Sequence, residues 1–113
     1  MAGKYALTTT SDGKFLFNLE AENNEKILTS ESYDAKGSAE KGIESVRSNA
    51  SNDARFDRMT SNDKKPYFVL KAANGEVIGT SEQYSSVTAM EDGIKAVRAN
   101  ASSMTVDDRT QLL

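Results

Sequence analysis

Two carboxylates and two phenols recur at one spacing in this chain. Glu31 and Tyr33 stand two residues apart, and Glu82 and Tyr84 repeat them 51 residues later. On a strand, residues two apart share a face. A carboxylate held near a covered face needs partners. Free N–H groups at the start of a following helix and the repeated Arg47 and Arg98 are the candidates. The spacing therefore supports two readings. The glutamates are paired internally, or they form a pair of carboxylates acting on a ligand in a central groove that Tyr33 and Tyr84 would line.

Catalytic equipment beyond these groups is sparse. The chain has no histidine and no cysteine, which removes the commonest general base, the thiol nucleophile and the preferred nitrogen and sulfur metal ligands. Asp53 with Asp57, and Asp107 with Asp108, lack the spacing of a calcium loop, and no glycine-rich phosphate motif occurs. The expectation is a non-enzymatic protein without cofactor or metal.

The elements that must position these residues come from a duplication. Phe17 to Ser51 reads FNLEAENNEKILTSESYDAKGSAEKGIESVRSNAS, and Phe68 to Ser102 reads FVLKAANGEVIGTSEQYSSVTAMEDGIKAVRANAS; 18 of the 35 aligned positions are identical without a gap. A repeat of about 50 residues is marginal alone, so the two copies are expected to share one core. The first copy is bounded at residues 1–54 and the second at 55–113.

Within each copy, alternation predicts strands over Lys4–Thr10, Phe15–Ala21 and Lys26–Tyr33, and a helix follows. In the hairpin the identical residues run Phe17, Leu19, Ala21, Asn23, Glu25, Ile27, Thr29, Glu31 and Tyr33, all odd-numbered; only Ser30 breaks the parity. One shared face across a hairpin requires an odd loop, so a three-residue loop at 22–24 is expected, pairing Leu19 with Ile27. Asn24 and Gly75 then take the left-handed position. By the same parity Glu31 and Glu82 fall on the covered face. Ala39, Gly42, Ile43, Val46 and Ala50 form a helical stripe that Met90, Gly93, Ile94, Val97 and Ala101 repeat. Asp34 and Ser85 are placed as N-caps, and Asn49 and Asn100 as left-handed C-caps. A mid-helix glycine in both copies, at about 1 kcal/mol against alanine, implies close approach of each helix to the sheet or to the other helix. Pro66 suits a strand start or edge.

The run N-x-E-x-I-x-T-S-E-x-Y followed by G-I-x-x-V-R-x-N-A, in two copies, resembles the YegP-like family of bacterial proteins of unknown function, and the resemblance covers nearly the whole chain. It implies a β-β-β-α-β unit that serves as a homodimer when single and as a fused pair when tandem. The units would share one sheet and exchange last strands, Arg55–Thr60 closing the first unit while opening the second, with Val106–Thr110 as the final strand. It implies no catalytic residues. Asn24 departs from the glycine usual at that turn.

The expected fold is thus α+β: tandem β-β-β-α(-β) repeats on an antiparallel sheet, with two helices on one face and a pseudo-two-fold axis. A net charge of −3 offers no bulk attraction to nucleic acid. The alternative to a binding or protein-interaction module is nevertheless a single-stranded nucleic-acid-binding protein using the open sheet face. Arg55, Arg58, Lys64 and Lys65 there interleave with Phe56, Tyr67 and Phe68. No run of apolar residues reaches membrane-spanning length, and the N-terminus lacks a signal-peptide pattern. A cytoplasmic monomer that mimics a dimer, binding a protein or a small ligand, is the expectation.

Overall fold

The computed structural model describes residues 3–110. The first copy forms β1 (Lys4–Thr9), β2 (Phe15–Glu20), β3 (Lys26–Ser30) and α1 (Lys36–Asn49). A single 3-10 turn, Asp53–Arg55, leads into β4 (Phe56–Thr60), β5 (Pro66–Lys71), β6 (Val77–Thr80) and α2 (Val87–Asn100), and β7 (Val106–Asp108) ends the described chain. The strands make one sheet in the order β4-β5-β6-β3-β2-β1-β7. The fold is α+β, but the sheet is mixed rather than antiparallel, because β7 runs parallel to β1.

The two copies meet at β3 and β6, where Thr29 lies opposite Thr80. These two residues are equivalents 51 positions apart, so the pseudo-two-fold axis passes through their pair. Beside it the copies differ. A Cβ added at Gly79 would lie 2.9 Å from Leu28 Cγ, and Gly79 is the counterpart of Leu28. Two leucines would collide at the axis, so one copy carries the side chain and the other leaves the space.

All four hairpins close with the same three-residue loop. The pairs Thr10–Lys14, Ala21–Glu25, Ser61–Lys65 and Ala72–Glu76 each close with a backbone bond of 2.8–2.9 Å. The last loop residue is left-handed in each: Gly13, Asn24, Lys64 and Gly75, with φ of 85°, 69°, 63° and 88°. Asn23 and Asn74 each accept at 3.0 Å from the N–H two residues on, which gives those identities a turn-forming role. Pro66 opens β5, as expected. Its counterpart Phe15 exchanges two backbone bonds with Tyr33, whereas Pro66 can only accept from Tyr84.

The core lies between the helix-facing side of the sheet and the two helices. Tyr5, Leu7, Phe17, Leu19, Phe68, Leu70, Ile43, Val46, Ile94 and Val97 are almost fully buried in it. Tyr5 meets Phe17 edge-on at 5.9 Å, and Phe56 meets Phe68 the same way at 5.7 Å. The expected caps move by one residue: Ala35 and Ser86 precede the helices, and the Ser86 hydroxyl accepts from Ala89 N–H at 3.0 Å. Asn49 and Asn100 are not left-handed caps. Both remain helical and donate to the carbonyls of Ser45 and Ala96 at 2.8 and 2.7 Å. Their free oxygens then hold the opening of a strand: Asn100 Oδ1 accepts from Gly3 N–H at 2.7 Å, and Asn49 Oδ1 from Arg55 Nε at 3.0 Å.

Each helix also reaches across to the exit of the other. Arg47 Nε donates to the Ser103 carbonyl beyond α2 at 3.1 Å, and Arg98 to the Ser51 carbonyl beyond α1 at 3.1 Å. The Arg47 guanidinium also lies 5.1 Å over the Tyr5 ring, a cation–π contact. The repeated arginines therefore clasp the two copies together rather than pair with Glu31 and Glu82. The strand exchange is one-sided. β7 of the second copy covers β1 of the first, but among the described residues β4 pairs only with β5 and does not close the first copy.

Because β7 and both arginine clasps cross between copies, neither half should fold independently. Segments 1–52 and 53–113 expressed separately are expected to lack a cooperative monomeric urea transition, and two independently cooperative monomers would contradict the shared core.

Candidate binding grooves

The parity of β3 fails at Ile27, before Ser30, and this failure shapes the site. The 22–24 loop sets Glu20 opposite Lys26, yet Leu19 faces Leu28, not Ile27. One extra residue is taken up at Ile27, and Ile27 and Leu28 are both buried. A second irregularity follows. Phe17 N–H donates to the Ser30 hydroxyl at 2.9 Å instead of to a carbonyl, and that hydroxyl donates to the Glu31 carbonyl at 2.8 Å. Ser81 repeats the arrangement with Phe68 and Glu82 at 3.0 and 2.7 Å. The hydroxyl completes the ladder where the backbone leaves it, and the chain rejoins β2 only at Tyr33, opposite Phe15.

The extra residue at Ile27, repeated at Ile78, reverses the expected facing of the glutamates, and a second one before Tyr33 restores the facing of the tyrosine. Glu31 and Glu82 are exposed, not on the covered face. Their carboxylates make no ion pair with Arg47 or Arg98, whose partners are Glu44 and Asp53 respectively. The tyrosines turn inward instead. A Cβ at Gly42 would stand 2.6 Å from Tyr33 Oη and 2.9 Å from Phe17 Cε2. At Gly93 it would meet Tyr84 Oη closer still, with Phe68 Cε2 at 3.3 Å. The close approach read from the repeated glycines is thus that of a phenol against bare helix backbone. Tyr84 also stacks on Phe68 at 6.3 Å and 11°.

The four candidate residues do not converge on one central groove. They line two grooves related by the duplication. The first, about 440 Å³, has Glu31, Tyr33 and Gly42 of the first copy on one wall and Glu76, Val77 and Ile78 of the second on the other, with Ser38, Lys41 and Ser45 along α1. The second, about 250 Å³, has Glu82, Tyr84 and Gly93 facing Glu25 and Ile27, with Ala89, Asp92 and Ala96 along α2. Each groove is composite, since its opposing hairpin belongs to the other copy. The electrostatics show the same crossing. Tyr33's phenol is raised by burial and then by the charges of Glu31 and Glu76. Tyr84's is pushed up to about 12 by burial and then by Glu82 and Glu25. Glu76 and Glu25 recur as identities within the hairpins, and the fold carries each into a groove of the other copy. What sequence parity missed was the inserted residue, and Ser30, the one even-numbered identity, was its signal.

The basic cluster does not assemble as a stacking surface. Phe56 and Phe68 are buried in the core. Arg58 is held by Glu91 at 2.6 Å and by Asp53 at 3.0 Å. On the open sheet face Lys71 pairs with Asp57 at 2.8 Å. The buried Glu20 sits between Lys4 at 3.5 Å and Arg109 at 3.6 Å.

The duplicated frame, with its serine, tyrosine and glycine at fixed offsets, is matched by a family model described as Domain of unknown function (DUF1508) at residues 10–57 and again at 61–108. The chain belongs to this family. YegP of Escherichia coli K12, a UPF0339 protein, is 50% identical over 110 residues, 97% of this chain and all of that protein. A UPF0339 protein of Acinetobacter baylyi is also 50% identical over 110 residues, covering 97% of this chain and 99% of its own. The solution NMR structure of E. coli YegP superposes with a TM-score of 0.94 at 49% identity, covering 100% of this chain and 97% of that one. That of a Shewanella oneidensis UPF0339 protein superposes at 0.92 and 47% identity, covering 97% and 93%. The tandem family form and the α+β architecture therefore hold, and these relatives are described as of unknown function.

Two predictions follow from the packing. Gly42→Ala should lower stability by about 1–3 kcal/mol, although alanine is the better helix former by about 1 kcal/mol. The loss should shrink in a Tyr33→Phe background, which removes the Oη that the new methyl meets. Urea midpoints of the four proteins test this. A phenol with a raised folded value contributes stability that is present below its unfolded value of about 10 and lost as pH rises through the folded value. For Tyr84 that window closes at about 12, so wild type should lose more stability across it than Tyr84→Phe. Urea midpoints on either side of the window measure the difference.

Proposed function

We propose that this protein is a non-enzymatic binding module of the cytoplasm, acting as a monomer that mimics a dimer and taking a protein segment or small ligand in its two grooves. The observation that carries the reading is the pairing of unlike rims on like frames. Both grooves keep the glutamate, the inward tyrosine and the glycine slot. Their helix walls have diverged to Ser38, Lys41 and Ser45 in one and Ala89, Asp92 and Ala96 in the other. A purely structural repeat would give the exposed Glu31 and Glu82 no reason to recur, since they support neither the core nor the clasp. The absence of histidine and cysteine from the chain favours binding over catalysis. Among the described residues no helix is long and apolar enough to cross a membrane.

Nucleic acid is the weaker reading. Its stacking residues Phe56 and Phe68 lie in the core, and Glu91 and Asp57 pair with Arg58 and Lys71 beside them.

Affinity capture from an extract of the parent cell tests the proposal, comparing wild type with Glu31→Gln/Glu82→Gln. Both glutamates are exposed, so the variant should match wild-type stability within about 0.5 kcal/mol while losing a species that wild type retains. Identical retention by the two proteins, or retention of nothing by wild type, would contradict a ligand role for the grooves.

A further inference from the structure

The duplication leaves the two ends of the sheet unequal. At one end β7 covers β1 in parallel, with Val106 opposite Tyr5 and Asp108 opposite Leu7. Tyr5 N–H donates to the Thr105 carbonyl at 3.0 Å, and Arg109 N–H donates to the Leu7 carbonyl at 2.8 Å. At the other end stands β4, the counterpart of β1, paired with β5 and with no other strand among the described residues. Hydrogen-bonded and non-bonded pairs alternate along an antiparallel ladder. Thr60 faces Pro66, which has no N–H, so Thr60, Arg58 and Phe56 are the residues whose backbone groups point outward. Phe56 N–H already bonds to the Asp53 carbonyl, the place that Thr105 holds at the first edge. No described group takes up the backbone N–H and C=O of Arg58, the counterpart of Leu7.

We propose that β4 binds an extended segment of another polypeptide as an added parallel strand, in the register that β7 has on β1, with apolar side chains at the two positions facing the helices. The molecule supplies its own template for this geometry, and the template's differences specify the occupant. At the first position Val106 faces Tyr5; the equivalent wall is the Phe56 ring. At the second, Asp108 on β7 is held by the ammonium of Lys36 at the start of α1. The counterpart of Lys36 is Val87, 62% exposed, and Arg58, which stands where Leu7 does, is already taken by Glu91 and Asp53, so this edge offers an apolar contact and no free cation where the other offers Lys36. A second copy fits less well. Antiparallel pairing of two β4 strands sets Arg58 against Arg58, or Asp57 against Asp57 one register away, and like charges directly opposite destabilise a pair; the register centred on Met59 pairs only Arg58–Thr60 of the strand. The surface shares no residue with either groove, so this inference does not rest on theirs.

The probe is a blocked peptide of residues 103–110 carrying Asp108→Leu, titrated to millimolar concentration into the full nitrogen-15-labelled chain. Amide shifts centred on Asp57–Thr60 and slowed exchange of the Arg58 N–H are expected. Arg58→Pro, which removes the outward donor, should bind about tenfold more weakly, the loss of roughly one backbone bond. Arg58→Ala keeps the donor and should bind as wild type does, which separates the edge from the ion pairs to Asp53 and Glu91. The unsubstituted peptide should bind more weakly than the leucine form, and Val87→Lys should reverse that order. Shifts centred on Tyr5–Leu7 or on the grooves, no shift at millimolar peptide, equal binding by Arg58→Pro, or a concentration-dependent dimer joined through β4 would each overturn the proposal.

Discussion

The third strand of each copy must leave its neighbour before the chain can climb to the helix layer. A strand that leaves early strands the N–H of the residue it abandons. Burying that donor unpaired would cost about 1–3 kcal/mol. The hydroxyls of Ser30 and Ser81 fill this place, accepting from Phe17 and Phe68 and passing the bond on to the next carbonyl. The residues after them follow from that substitution. With the ladder closed by a side chain, the backbone can insert one more residue beyond that at Ile27, keep the glutamate outward and bring a tyrosine back under the helix. Gly42 and Gly93 are the matching concession on the helix side, because no side chain fits between phenol and helix.

This coupling explains what could be read from the residues and what could not. Hairpin loops, helix stripes, repeat length and the glycine contacts all follow from local patterns, and they fold as those patterns require. Ile43, Val46, Ile94 and Val97 face the core because their spacing leaves no other choice. Facing after Ser30 was not local. Period two holds only while a strand stays in register, and Ile27 with Leu28 already breaks it by burying two consecutive side chains. The parallel β7 was equally hidden, since three residues of weak alternation carry no direction. Asn49 and Asn100 read as left-handed caps for a related reason. A left-handed C-cap and a helical asparagine bonding back to the fourth carbonyl look alike in sequence, and only the strand openings at Gly3 and Arg55 tell them apart.

Duplication also fixes where symmetry must fail. On the axis itself, side chains of equal size compete for one volume, and Leu28 with Gly79 divides it unequally. Away from the axis the copies keep what both need: the arginine that reaches the other helix's exit, the asparagine that holds a strand opening, the serine, tyrosine and glycine of each groove. They diverge along the helix walls of the grooves, at Ser38, Lys41 and Ser45 against Ala89, Asp92 and Ala96. The repeated exposed glutamates sit on the diverging surface yet behave like the retained frame, and that mismatch is why the grooves are read as functional.

Fusion adds an asymmetry that a pair of separate units need not have. A chain crossing from the first copy to the second must spend its connecting segment on one role. Asp53–Arg55 forms a tight turn that delivers Phe56 directly into the second copy's opening strand. The residues equivalent to β7 are therefore consumed as β4, and no described segment covers β4 from outside. The corresponding residues of the second copy, Val106–Asp108, instead cross and cover β1. Edge protection thus falls on β1 alone. β4 is short and carries Asp57 and Arg58, which discourages pairing with its own kind while leaving its outward backbone groups available to a strand of different charge.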